Sequence, residues 1–123
     1  MKRPVLLIVD DENDIKALYK SIVNRYFDFD IIEANSIKAA KEVLTQNTPD
    51  YVLLDLFLKD GDGFDMIPIL KKINSNVQIL VVTAFNHYKE KRKATELGAF
   101  GLLGKPFEKE TFVEHLNQMR NLR

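Results

Sequence analysis

Apolar residues in this chain follow two rhythms that alternate along its length. Val5–Val9 is an unbroken apolar run, the pattern of a strand buried on both faces. Over residues 14–27, Ile15, Leu18, Tyr19, Ile22, Val23 and Tyr26 fall on one face at helical spacing. Phe29–Glu33 is short and partly polar, which predicts an edge strand. Ser36 is placed to cap a helix carrying Ile37, Ala40, Val43 and Leu44. Thr48-Pro49-Asp50 breaks the chain before a second buried run, Tyr51–Leu54. Asp60-Gly61-Asp62-Gly63 reads as a turn, and a helix entered near Asp65 leaves Pro68 in its first turn, where the missing N–H costs little. Val77–Val82 is a third buried strand. A weakly amphipathic helix over 87–97 ends at Gly98, Phe100–Leu103 forms a short strand, and a last helix over 108–121 carries Phe112, Leu116 and Met119.

Five strands alternating with five helices predict an α/β fold, (βα)5, with a parallel sheet covered by helices on both faces. No linker, repeat or low-complexity stretch divides the chain, so residues 1–123 read as one domain. Composition narrows the chemistry. With no cysteine, disulfides and thiolate metal sites are excluded. Eighteen basic residues balance eighteen acidic ones, which leaves no global electrostatic footprint for nucleic acid. No apolar run reaches the length of a membrane span. The start, MKRPVLLIVDD, is too short in its apolar part for a signal peptide and has acids where a cleavage site needs small residues. The expectation is a soluble, cytoplasmic protein.

In sheets of this kind ligands bind beyond the carboxyl ends of the strands. Asp10 and Asp11 end the first strand and Asp55 the third; Thr83 follows the fourth and Lys105 the fifth. One acid there would ordinarily cap the next helix. Three carboxylates converging from adjacent strands repel one another, and a cation resolves that repulsion. Oxygen ligands without His or Cys favour a hard ion. Mg²⁺ takes one or two carboxylates, keeps waters and completes its shell with phosphate oxygen. Ca²⁺ would want more protein oxygens, and its 12-residue loop pattern is missing. Lys105 and the Thr83 hydroxyl would then hold phosphoryl oxygens. His87 and His115 read as solvated or interfacial rather than catalytic.

The segments LLIVDDE (6–12), PDYVLLDLFL (49–58), GDGF (61–64), VVTAF (81–85) and GAFGLLGKPF (98–107) together resemble the receiver domain of two-component response regulators over essentially the whole chain. The resemblance implies a flavodoxin-like, doubly wound five-stranded sheet in the order 2-1-3-4-5. It implies that Asp55 is the phosphoacceptor, attacking the phosphoryl group of a phosphohistidine on a histidine kinase or histidine phosphotransfer protein. Asp11 and Asp55 would ligate Mg²⁺, Asp10 would support it through water, and the Phe57 backbone carbonyl would be a further ligand. Thr83 and Lys105 would stabilise the transferred group, and Lys105-Pro106 would be a cis peptide. Such a protein catalyses its own phosphorylation and dephosphorylation rather than a conventional turnover.

Three departures from the family pattern matter. Leu102 stands where the family has a Tyr or Phe that reports phosphorylation on the output face, and strand alternation gives Phe100 the same face as Leu102. Lys59 replaces a frequent Pro. Phe57 and Phe85, each two residues beyond Asp55 and Thr83, are bulky groups that would slow water attack on the phosphoryl. The basic run Lys89–Lys93 reads first as a solvated face and second as a docking patch for an acidic partner. The chain as given carries no DNA-binding or enzymatic segment after its last helix. Output is therefore expected through a downstream protein target, either by relaying phosphate or by binding when phosphorylated; a piece of a larger regulator would read the same. The expected assembly is a monomer, or a weak dimer through the fourth helix, fifth strand and fifth helix. The alternative function is a degenerate receiver acting as a constitutive protein-binding module. An FMN carrier is disfavoured by the acids after the first strand, and a haloacid-dehalogenase-type phosphatase by the absence of Asp-x-Asp at Asp55.

Overall fold

The computed structural model describes residues 2–122. The strands are β1 (Val5–Val9), β2 (Asp30–Ala34), β3 (Tyr51–Leu54), β4 (Gln78–Thr83) and β5 (Gly101–Gly104). The helices are α1 (Asn13–Tyr26), α2 (Ile37–Leu44), α3 (Met66–Ile73), α4 (Tyr88–Glu96) and α5 (Lys109–Asn121). The strands form one sheet in the order β2-β1-β3-β4-β5, with every neighbouring pair parallel. This is the flavodoxin-like doubly wound sheet expected from the chain.

Parallel strands with helices on both faces must be apolar on both, and β1, β3 and β4 are. Alternate side chains feed two core layers. Leu6, Ile8, Tyr51, Leu53, Leu80, Val82 and Leu103 pack with α1 and α5. Leu7, Val9, Val52, Leu54, Ile79, Val81 and Leu102 pack with α2, α3 and α4. Ser36 caps α2 as expected, its Oγ accepting from the Ala39 N–H at 3.0 Å. Gly98, at φ +108°, takes the left-handed turn that ends α4.

Three local expectations are corrected. On α1, Leu18 is 45% exposed and Tyr26 is exposed too, while Lys16 is buried beside Tyr19, Ile22 and Val23. The buried face is rotated toward Lys16, whose stem lies in the core layer while its ammonium reaches Glu33 at 4.0 Å. Phe100 does not share Leu102's face. It precedes β5 at a bend and packs in the α1–α5 layer, edge-on to His115, whereas Leu102 lies in the opposite layer. The Asp60–Gly63 turn is part of a larger device. Phe57–Leu58 pairs antiparallel with Gly61–Asp62, and a 3-10 turn over Gly63–Asp65 leads into α3. The tip of this ribbon reaches across to α2, where the Asp60 carboxylate accepts from the Ile37 and Lys38 N–H groups at 2.9 and 3.0 Å. Those bonds to free N-terminal amides hold the Asp60 carboxyl below its ordinary range.

Candidate functional site

The sheet places its charged residues where the strands run out. Ladder-like bonds carry the extended chain past each strand: Asp10 N–H donates to Ala34 at 3.1 Å, Asp55 N–H to Val9 at 3.0 Å and Lys105 N–H to Thr83 at 2.8 Å. Asp10, Asp55 and Lys105 are therefore held by backbone as firmly as the strands themselves. Lys105-Pro106 is cis, as the resemblance implied.

The Lys105 ammonium is shared by three carboxylates, at 2.9 Å from Asp10 Oδ2, 3.1 Å from Asp55 Oδ2 and 3.1 Å from Glu12 Oε1. Burial works against its charge. The hydrogen bond to Asp10 and the fields of Asp55 and Asp10 outweigh that effect and hold Lys105 above the usual lysine range. Asp10 is buried at 1% exposure. Burial raises its carboxyl above the ordinary range, against the hydrogen bonds from Lys105 and from the Glu12 N–H.

Asp10, Asp11, Glu12 and Asp55 can each present an oxygen such that all four lie within 4.8 Å of one another. A set of carboxylates with no His or Cys suits a hard divalent cation. The sequence reading had given Glu12 no role. Its signal was its place as the third acid in Asp10-Asp11-Glu12. Asp14, the next acid, lies exposed in the first turn of α1 and outside this cluster.

Thr83 is fully buried at the end of β4, and its Oγ1 accepts from the Phe85 N–H at 3.3 Å. The Phe57 N–H donates to Asp55 Oδ1, also at 3.3 Å. Behind Asp55 the returning ribbon comes so close that a Cβ on Gly63 would stand 2.2 Å from the Asp55 carbonyl oxygen, so only glycine fits there. Phe57 and Phe85 are 58% and 43% exposed. They border a cavity of about 410 Å³ whose walls include Leu56, Phe64, Lys89 and Lys93. Lys93 sits over the Phe64 ring at 4.5 Å, and the basic run on α4 is otherwise mostly solvated. His87 starts α4 in solvent, and His115 Nδ1 lies 2.7 Å from the Thr111 carbonyl. No helix among the described residues is long and apolar enough to cross a membrane.

Comparison with known proteins agrees with this arrangement. The family model described as response regulator receiver domain matches residues 6–117. The chain is similar to the sensory transduction protein LytT of Bacillus anthracis, 35% identical over 116 residues, which are 94% of this chain and 46% of that protein. It thus spans about half the length of that relative. It is also similar to sporulation initiation phosphotransferase F of Bacillus subtilis, 31% identical over 88% of this chain and 86% of that one. Among solved structures, the non-phosphorylated HemR receiver domain from Leptospira biflexa superposes with a TM-score of 0.86 at 29% identity, covering 95% of this chain and 94% of that one.

Proposed function

The chain belongs to the response regulator receiver domains, and from that membership we propose that it accepts a phosphoryl group on Asp55 from a phosphohistidine of a kinase or phosphotransfer partner. The observation that supports this reading best is the single ammonium of Lys105 held within 3.1 Å of both Asp10 and Asp55. A cation already shared between a metal-type acid and the acceptor is positioned to move to a phosphoryl oxygen.

In the transfer, an Asp55 carboxylate oxygen forms the new bond to phosphorus as the P–N bond to the partner's imidazole breaks in line. The imidazole leaves with the electron pair and is protonated. Asp10, Asp11, Asp55 and the Phe57 carbonyl would hold Mg²⁺, with Glu12 at the rim; bound there, it neutralises charge on the phosphoryl oxygens. Lys105 pairs with one of those oxygens. Thr83 accepts its hydrogen bond from Phe85, which leaves its own O–H free to donate to another. The rings of Phe57 and Phe85 stand beside the path of a hydrolytic water and lengthen the life of the acyl phosphate.

The partner is met through α1, the helix that follows the acidic run and carries the exposed Leu18. Likeness over most of its length to a protein named as a phosphotransferase supports a relay role above a terminal one, as does Leu102 in place of an aromatic switch. The reading places the chain in the cytoplasm, with output by protein contact and, where it pairs, association through α4, β5 and α5.

Intact-mass spectrometry after incubation with a small phosphodonor tests the proposal. One added phosphoryl that requires both Mg²⁺ and Asp55, and is lost in Asp55→Asn, is the expected result. No adduct under rapid sampling would favour a constitutive binding module instead.

A further inference from the structure

The Tyr19 hydroxyl is buried with no hydrogen-bond partner, in a residue only 1% exposed. Buried tyrosines ordinarily give that group a partner, and a native orphan calls for a reason. The ring cannot swing away to find one. It is stacked on Phe107 and Phe112, with centroids 5.9 and 5.3 Å away. Phe107 lies two residues beyond Lys105, which brings Tyr19 beneath the loop that carries the ammonium.

Strand alternation says what lies above it. Ile8, Leu53 and Leu103 share Tyr19's core layer. Asp10, Asp55 and Lys105 each stand two residues further along the chain, just past the strand ends, and their side chains meet at the Lys105 ammonium, so all three turn to one side of the sheet. The charged groups of the site are thus the top row of the layer that contains Tyr19. In keeping with this, burial first, then the charges of Asp10, Asp55 and Glu12, push the phenol above its usual range and keep it a donor.

A donor here has a use. In the structure, Asp10 Oδ2 takes its hydrogen bond from Lys105. When a cation bound among the acids displaces that ammonium, Asp10 Oδ2 loses this donor, the Glu12 N–H remains on Oδ1 alone, and at 1% exposure no bulk water replaces what was lost. The Tyr19 hydroxyl has already lost its own hydration, so using it adds no desolvation cost. We propose that Tyr19 is a positioning residue of the cation site, its hydroxyl donating on the buried side of the acid cluster to Asp10, or to water held by Asp10, when the cation is bound. This rests on the Mg²⁺-dependent reading given above.

The test is calorimetric titration of the full chain with MgCl₂, for wild type, Tyr19→Phe, Asp10→Asn and the double variant, with thermal unfolding in EDTA alongside. Tyr19→Phe is expected to weaken Mg²⁺ binding by about tenfold, as loss of an outer-shell partner does. The metal-free unfolding midpoint should be unchanged or higher, since an orphan hydroxyl has been removed. The effect should vanish in the Asp10→Asn background. Wild-type affinity in Tyr19→Phe overturns the proposal. So does an equal loss with and without Asp10, or a lowered metal-free midpoint, which would mean that the hydroxyl is structural. If wild type itself takes up no Mg²⁺, the functional reading fails first and this inference with it.

Discussion

Phe57 and Phe85 meet ring to ring with centroids 4.1 Å apart, although one opens the ribbon after β3 and the other lies in the loop after β4. Each is tied through its N–H to a residue of the proposed reaction, Phe57 to Asp55 and Phe85 to Thr83. The pair therefore joins the acceptor loop to the loop after β4 directly at the mouth of the site.

Opening this pair should shorten the phosphorylated state. Phe57→Asn with Phe85→Ala is expected to speed loss of the phosphoryl by roughly tenfold, the effect of lowering that barrier by about 1.4 kcal/mol. Decay of the phosphorylated mass after dilution of the donor measures it. An unchanged rate would mean that the rings do not shield the site.

Replacing Lys105 should separate metal binding from chemistry. In Lys105→Met, buried carboxylates lose their common cation, and removal of one partner from such a cluster costs about 3–5 kcal/mol in the metal-free protein. With the competing charge gone, Mg²⁺ should bind more tightly and restore much of that stability, while phosphorylation falls. Urea unfolding with and without MgCl₂ checks the first part, and mass spectrometry the second.

The Asp60 cap predicts a pH dependence with a definite sign. Its folded pKa lies below the usual 3.8 because the Lys38 and Ile37 N–H groups favour the carboxylate. The stabilisation is fully present above 3.8 and is lost as the pH falls through the lowered folded value. Asp60→Ala should lower the urea midpoint at neutral pH, and the gap to wild type should close only in that acid range. A gap constant with pH would show that the ionised carboxylate is not the cause.

Leu18 supplies a test of the partner. Leu18→Arg on the exposed face of α1 should slow transfer from a phosphohistidine protein but leave phosphorylation by a small donor, and the melting temperature, unchanged. Equal slowing with both donors would place the effect in the site rather than in docking.

The parallel sheet and the residues at its strand ends were legible because strands buried on both faces leave unbroken apolar runs that no amphipathic helix imitates, whereas the strand order followed from the family resemblance alone. Finer features failed for local reasons. Leu18 and Lys16 exchanged places because a lysine stem is as good a core filler as leucine when its ammonium can reach Glu33. Phe100 left Leu102's face because alternation holds only inside a strand, and β5 starts at Gly101. The ribbon at Phe57–Asp62 has two residues per strand, too few to show any period. Glu12 was hidden because it lies past the strand end, next to the start of α1, and reaches Lys105 from there.

That Asp10, Asp55 and Lys105 all continue one of the two core rows limits how the chain can change in length. Inserting or deleting a single residue within β1, β3 or β5 would turn the charged side chain at its end into the opposite row, away from its partners, while leaving composition almost untouched. A change of two would restore the row but shift the residue along its neighbours. The three strands are thus fixed in length as well as in character, and the loops at their far ends are where this chain can gain or lose residues without disturbing its site.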